Sequence, residues 1–333
     1  MPASPCLLVD LGGTNVRFAL VDPARRNPLA GQPVQRFRVA DFSDLAQAAR
    51  SFLADMDAAA GRAVLAVAGP VAGDRVNMTN HPWVISRRAL MAELGLDDLM
   101  MVNDFAAMSL SLTLLEASDA RPLGLPRLAP AVPDKARTFA VLGPGTGLGA
   151  GALLWRDGRA FPLQTEGGHV GFAPMGEQEI ALLRHLARDF GRVSNERLLS
   201  GAGLANIYLS LAAMSGAVVD DAAPEAITRR AAEGSDPLAE RTLGIFCDVL
   251  GSVAGDLAMA YGAWDGVYLA GGLAAVAWPW LEQGGFRRRF EDKGRYADVL
   301  ARVPTLVITH PEPGLLGAAA FARSAWGGDG GLA

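Results

Sequence analysis

Cysteine is scarce in this chain of 333 residues: Cys6 and Cys247 are its two thiols, and they lie far apart. This spacing excludes a CxxC redox motif and a zinc cluster built on thiolates, so we expect both cysteines to be reduced and buried. Histidine is also scarce, with four residues, and no HExxH pattern occurs. A metal site built on imidazoles is therefore not expected.

Long apolar runs are absent, although 50% of the residues are hydrophobic. Near the N-terminus, residues 6–9 are followed at once by Asp10, and this run is too short for a signal peptide or a membrane span. Positive charge is not in excess either, because 30 Lys and Arg face 35 Asp and Glu. We therefore expect a cytoplasmic protein with no membrane partner and no nucleic-acid partner.

Glycine, in contrast, is abundant and bunched, with 39 residues. A bunch at residues 12–14 lies between two apolar segments, and the same arrangement returns at residues 143–147. Each arrangement predicts a β-hairpin, and two similar hairpins predict a duplicated α/β fold. The predicted strands cover residues 7–10, 16–21, 139–142 and 150–155.

Predicted helices and strands alternate between the two hairpins, as an α/β protein requires. They cover residues 44–60, 63–68, 87–94 and 99–102, and a further helix starts at Asn103. A proline-rich stretch at residues 120–133 is the clearest linker between domains. Beyond it, residues 237–263 predict a long core helix in which Gly251 and Gly255 allow close packing.

Both glycine loops have the composition of phosphate-binding loops, because free backbone N–H groups and the hydroxyls of Thr14 and Thr146 can surround an anion. Each loop taken alone equally fits an ordinary hairpin turn, whereas the pair favours nucleotide phosphates. A dinucleotide fingerprint is rejected because no helix follows the second loop, and no Walker sequence occurs.

Acidic residues stand beside these loops. Asp10 ends the first strand, where its carboxylate could hold the water shell of Mg²⁺ or merely close a turn. Asn103 and Asp104 follow another strand and start a helix. Asn103 fits a helix N-cap, whereas Asp104 could face a ligand at the carboxyl end of the sheet.

A second polar group follows the second loop. Glu166 and His169 stand on either side of two glycines and could hydrogen-bond adjacent hydroxyls of a polyol, although a structural histidine is the alternative. Glu196 fits either a hydroxyl contact or a simple first-turn acid. Asn80 precedes a predicted loop in which Trp83 could offer an aromatic wall.

Together these segments resemble the bacterial glucokinases of the hexokinase, actin and heat-shock ATPase superfamily. The resemblance runs from about Leu7 to Gly317 and rests on motifs that occur in the family's order. These motifs are VDLGGTN, MTNHPW, VNDFAA, GPGTGLG, EGGHVGFAP, SNERLLSG, YLAGGL and PGLLG. Pro144 and Thr165 depart from the usual pattern without touching a residue assigned chemistry. The zinc motif of the related repressor and kinase group is absent.

The resemblance implies an α/β protein with the two-domain actin-like ATPase (ribonuclease H-like) fold, in which duplicated βαβ halves flank a cleft. A small α/β domain would comprise residues 1–113 and 313–333. A larger α+β domain, residues 114–312, would carry the second phosphate loop and the sugar contacts.

The resemblance also implies transfer of a phosphoryl group from ATP to O6 of D-glucose, giving glucose 6-phosphate in the first step of glycolysis. Asp104 falls on the position of the general base. Asp10 would hold Mg²⁺ through water, and we expect a homodimer. The positions implied to bind the sugar are Asn80, Asn103, Glu166, His169 and Glu196. The positions implied to bind ATP are Asp10, Gly12, Gly13, Thr14, Asn15, Gly145, Thr146, Gly147, Gly271 and Gly272.

Three other functions stay open at this point. A broader hexose kinase acting on mannose, fructose or an N-acetylhexosamine would use the same motifs. A non-catalytic sugar sensor is disfavoured by the presence of Asp104. A sugar-responsive transcription factor would need a helix-turn-helix segment before the first strand, where six residues precede Leu7.

Overall fold

The computed structural model describes residues 5–69, 71, 73–77, 83–124 and 136–327. The strands are β1 (Cys6–Leu11), β2 (Asn15–Val21), β3 (Val34–Arg38), β4 (Arg62–Val67), β5 (Arg75–Asn77), β6 (Val84–Ser86), β7 (Asp98–Asn103), β8 (Ala120–Pro122), β9 (Arg137–Pro144), β10 (Leu148–Arg156), β11 (Arg159–Thr165), β12 (Gly266–Leu269) and β13 (Thr305–Ile308). The helices are α1 (Leu45–Asp55), α2 (Arg87–Leu94), α3 (Asp104–Ser111), α4 (Gly176–Phe190), α5 (Gly201–Ser215), α6 (Pro224–Glu233), α7 (Pro237–Tyr261), α8 (Gly272–Val276), α9 (Trp278–Leu281), α10 (Gly285–Glu291), α11 (Ala297–Leu300) and α12 (Pro313–Trp326).

Two sheets repeat one topology. The first has the order β3-β2-β1-β4-β7, in which β1, β4 and β7 are parallel and the β1–β2–β3 pairs are antiparallel. The second has the order β11-β10-β9-β12-β13-β8 with the same directions, and β8 adds an antiparallel edge. The duplicated α/β arrangement is therefore confirmed, and each half starts with the predicted hairpin.

Two of the sequence predictions are wrong in detail. The first helix ends at Asp55 rather than residue 60, because Asp57 adopts a left-handed φ of 46° that stops the helix. Asp44 is its N-cap and accepts the N–H of Gln47. The predicted linker begins as strand β8, since its backbone pairs with β13, and residues 125–135 lie outside the described part.

Helix α7 is the core helix predicted for the second half. It packs against α10, and an added Cβ at Gly251 or Gly255 would overlap or crowd the carbonyl groups of Phe286 and Phe290, respectively. Of the described helices, α7 alone has the length and apolarity to cross a bilayer, and 72% of its most apolar window is buried in the protein. Burial by neighbouring helices accounts for that apolarity without a membrane.

Helices α3 and α12 lie between the two sheets. A shared cluster of buried side chains joins Leu8 of the first sheet, Leu315 and Phe321 of α12, and Leu153 of the second sheet. The helices approach closely because an added Cβ at Gly317 would overlap the carbonyl oxygen of Ala107. The packing of these two helices therefore fixes how the halves meet.

We predict that Gly317→Ala lowers the free energy of unfolding by about 1–3 kcal/mol, because the added methyl group forces α12 away from α3. Gly244→Ala is the matched control, since Gly244 is an exposed glycine of α7 with open space around its Cα. The control should gain up to about 1 kcal/mol from helix propensity. Denaturant unfolding measures both, and equal stability of the two variants would refute this account of the packing.

Candidate active site

Asn103 and Asp104 connect β7 to α3. The Asn103 side chain is the N-cap: its Oδ1 accepts the N–H groups of Phe105 at 2.9 Å and Ala106 at 3.0 Å. Its Nδ2 donates to the carbonyl of Gly69 at 3.2 Å, and the residue is buried. The N-cap prediction is confirmed, and this cap fixes where Asp104 stands in the first turn.

Asp104 is an acid in an environment that disfavours charge. Burial raises the pKa of its carboxyl to about 6, and the negative charges of Asp10 and Glu166 act in the same direction. The N–H of Phe105 donates to Asp104 Oδ1 at 2.9 Å and opposes the shift. A carboxyl with this pKa can both hold and release a proton near neutral pH.

Asp10 belongs to an ion-pair network at the end of β1. It is the cross-strand partner of Arg17, whose Nη1 donates to Asp10 Oδ2 at 2.9 Å. Arg17 Nε lies 2.9 Å from Glu312 Oε2, and Arg36 Nη2 donates to Glu312 Oε1 at 3.1 Å. Burial raises the pKa of Asp10, and the Arg17 guanidinium acts against that rise. The Arg17 guanidinium therefore offsets part of the cost of an ionised carboxylate at this part-buried position.

A cavity of about 550 Å³ opens beside Asp10 and reaches Gly271 and Gly272. Its lining includes Gly314 of α12, where an added Cβ would lie 2.7 Å from the Asp10 carboxylate. The cavity brings Asp10 together with the predicted adenosine motif, and a side chain at position 314 would press on that carboxylate.

Several residues of the cavity wall escaped the sequence analysis, among them Arg121, Trp278 and His310. The Arg121 guanidinium lies 3.9 Å from the ring centroid of Trp278, and Arg121 Nη2 donates to Glu282 at 3.3 Å. His310 also lines the cavity, and its Nδ1 accepts the N–H of Glu312 at 3.1 Å. No motif marks these residues, because they come from segments far apart in the chain.

The two glycine loops are tight turns with exposed tips. In the first, Gly12 N–H donates to Asn15 O at 3.0 Å, and Gly13 and Thr14 are exposed. In the second, Gly145 N–H donates to Gly147 O at 2.8 Å, and Thr146 is exposed. Exposed N–H groups and hydroxyls at such turns can bind phosphate oxygens.

The predicted adenosine motif, Gly271 and Gly272, lies against the second glycine loop. Gly271 has a φ of 87°, and an added Cβ there would lie 2.7 Å from the carbonyl oxygen of Pro144. Glycine is thus required both for the backbone conformation and for the close approach. Helix α8 begins at Gly272, directly after this contact.

The structure brings Glu166, His169 and Glu196 together in one group. His169 Nε2 lies 4.0 Å from Glu166 Oε2, and His169 Nδ1 lies 3.8 Å from Glu196 Oε1. The side chains of Glu166 and His169 are more than half exposed, so both can reach a ligand. Such a cluster supplies acceptors and a ring nitrogen for neighbouring hydroxyls.

Glu196 also connects this group to the second loop. Its Oε2 accepts the N–H of Leu148 at 2.9 Å, and an added Cβ at Gly147 would lie 2.5 Å from the same oxygen. Thr165, one of the departures from the family pattern, donates to the carbonyl of Ala150 at 2.9 Å. The bond from Leu148 to Glu196 holds the polar group against the second glycine loop.

A family model described as glucokinase matches residues 7–325. The chain belongs to the glucokinase family. The glucokinase of Stenotrophomonas maltophilia (strain K279a) is 49% identical over 323 residues, which cover 97% of this chain and 96% of that protein.

Solved structures share the fold. A glucokinase from an Antarctic psychrotroph has a TM-score of 0.83 at 33% identity, covering 96% of this chain and 99% of that chain. A ROK family glucokinase from Streptomyces griseus, in complex with glucose and AMPPNP, has a TM-score of 0.64 at 18% identity, covering 96% and 99%. The actin-like ATPase fold expected from the resemblance is confirmed.

The donor set of this glucokinase-family chain suits a magnesium ion that arrives with its nucleotide. Among the described residues no group of three His, Cys, Asp or Glu side chains could hold a metal by itself. Asp10, a single carboxylate beside the cavity, fits Mg²⁺ that keeps water and takes its other ligands from phosphates. Asn80, the remaining predicted sugar contact, lies outside the described residues.

Proposed function

We propose that this member of the glucokinase family transfers the γ-phosphoryl group of ATP to O6 of D-glucose, with Asp104 as the general base. One observation carries this proposal. The carboxyl of Asp104, with its pKa near 6, is close enough to Asp10 and to Glu166 to be shifted by both charges. The base is therefore electrostatically coupled to the phosphate side and to the hydroxyl-binding side of the site.

The reaction requires little covalent chemistry from the protein. O6 attacks the γ-phosphorus, the bond to the β-phosphate oxygen breaks, and ADP leaves with that electron pair. Asp104 orients O6 and accepts its proton late in the transfer. The loops at residues 12–15 and 145–147 would hold the phosphates by backbone N–H groups and threonine hydroxyls. Mg²⁺, held through water by Asp10, would neutralise phosphate charge.

Sugar selection falls to the polar group beside the second loop. Glu166, His169 and Glu196 would bind ring hydroxyls. Asn103 would contribute its side-chain amide, whose Oδ1 already accepts a backbone N–H as the N-cap and whose Nδ2 already donates to Gly69. A site built for hydroxyls leaves polar groups of the site or of the sugar unpaired when an epimer binds, so discrimination can be strong. The use of mannose, fructose or N-acetylhexosamines is the alternative substrate range.

ATP as donor is supported by the Streptomyces griseus neighbour, whose structure contains AMPPNP. Gly271 and Gly272 would hold the adenosine, with the 550 Å³ cavity as its space.

We further propose a small domain of residues 1–113 and 313–333, a large domain of residues 114–312, a cytoplasmic location and a homodimer. Sedimentation velocity would report the dimer as twice the mass of the chain.

We predict that Asp104→Asn lowers kcat by at least about 10²-fold, because the amide keeps the shape of the side chain and loses the proton acceptor. Glucose binding, measured by calorimetry, should be largely retained. Asp97→Asn, an exposed acid outside the site, is the matched control and should keep full kcat. A kcat for Asp104→Asn within about tenfold of the parent would refute the base assignment.

We predict that Glu166→Ala weakens glucose binding by about 1–3 kcal/mol, or about 5- to 150-fold, because sugar hydroxyls lose a charged acceptor. The KM for ATP should change little. Glu177→Ala, an exposed glutamate of α4, serves as the control. Calorimetry with glucose decides: an unchanged affinity in Glu166→Ala would remove Glu166 from the sugar site.

A further inference from the structure

The aromatic ring of Phe105, the residue after the proposed base, rests on bare backbone of the second sheet. Gly143 and Gly149 are directly paired across β9 and β10. An added Cβ at either position would overlap the Phe105 ring. Alanine is thus excluded by the ring, because neither glycine has the positive φ that would itself require glycine.

The same surface continues one helical turn along α3. Gly151 lies two residues beyond Gly149, on the same face of β10. An added Cβ at Gly151 would lie 2.6 Å from Ser109 Oγ and 3.2 Å from the carbonyl oxygen of Phe105. We call Gly143, Gly149 and Gly151 the glycine surface. This surface allows the first two turns of α3 to pack closely on the second sheet.

The glycine surface explains glycines that the phosphate loop does not need. The run from 143 to 151 is glycine-rich, but only residues 145–147 form the exposed turn. The outer glycines lie in the strands that lead into and out of that turn. The hairpin therefore presents the loop at its tip and the contact with Phe105 immediately behind it.

We infer that Phe105 is a positioning residue that sets the distance between Asp104 and the second phosphate loop. Asp104 enters the site from β7 of the first sheet, whereas the loop belongs to the second sheet. Phe105 connects the base to the loop. It belongs to the same helical turn as Asp104, and its ring packs on the hairpin that carries the loop. This inference rests on the proposed role of Asp104, and a misplacement of about 1 Å in such a site costs about 10²-fold in rate.

The test is a double-mutant cycle between the ring and the glycine surface. Gly149→Ala should push the ring and the base away from the loop, lowering kcat about 10- to 100-fold with KM for ATP within about threefold. Phe105→Ala alone should also lower kcat, because the first turn of α3 then loses its contact with the glycine surface. The double variant should be at least about tenfold more active than the product of the single effects predicts, since the methyl group then enters the space left by the ring.

Two further variants keep the test decisive. Gly244→Ala, the exposed glycine of α7, controls for glycine replacement and should keep full kcat. If Gly149→Ala does not fold, Phe105→Leu and Phe105→Ala decide, because they introduce no overlap. We expect a graded loss of kcat, small for leucine and larger for alanine, with KM for ATP unchanged. Folding of each variant is checked by circular dichroism.

The possible failures are distinguishable. If Asp104→Asn retains kcat, the proposed base is wrong and the role of Phe105 falls with it. If Asp104→Asn is inactive while folded Phe105→Ala and Gly149→Ala keep kcat within about twofold, the positioning role is wrong and the base assignment stands. Single effects that simply multiply in the double variant would also overturn the inference, because they would show that the ring and the glycine surface act separately.

Discussion

The structure depends on the close contact of helix α3 with elements on both of its sides. Gly317 lets α12 reach the backbone at Ala107, and the glycine surface lets the Phe105 ring reach the second sheet. Side chains larger than hydrogen at these positions would hold α3 away, since packed interiors tolerate little extra volume. The proposed base stands at the start of this helix, so the packing that joins the halves also places the carboxyl group.

Charge is the second constraint on the site, because two part-buried carboxyl groups, Asp10 and Asp104, lie close enough for the charge of Asp10 to raise the pKa of Asp104. Arg17 pairs with Asp10 and counters the effect of burial there, whereas no such cation appears among the causes that shift the pKa of Asp104. The two acids therefore differ in their environments. The cation beside Asp10 supports its ionised form next to phosphates and Mg²⁺, and Asp104 suits proton transfer near neutral pH.

Much of this architecture follows from local sequence signals. Alternating apolar residues around glycine turns predict both hairpins, and the Asn103 cap and core helix α7 follow from short-range rules. Strand β8 does not, because a three-residue edge in a proline-rich stretch depends on its pairing with β13. The wall of Arg121 and Trp278 likewise arises only when distant segments meet. The sequence identifies the glycines that form the second turn. It does not show that Gly143 and Gly149 contact Phe105, because that contact depends on the register of two strands.

The pH dependence of kcat/KM for glucose tests the central claim most directly, because it reports the pKa of the essential base in the free enzyme. Asp104 must be ionised to accept the O6 proton, so the rate should be flat above about pH 6 and fall about tenfold per pH unit below it. The same limb should persist in His169→Gln, because Asp104, which this substitution leaves in place, is the group that produces it. A limb centred near 3.8, the ordinary value for aspartate, or one that disappears in His169→Gln, would contradict the account.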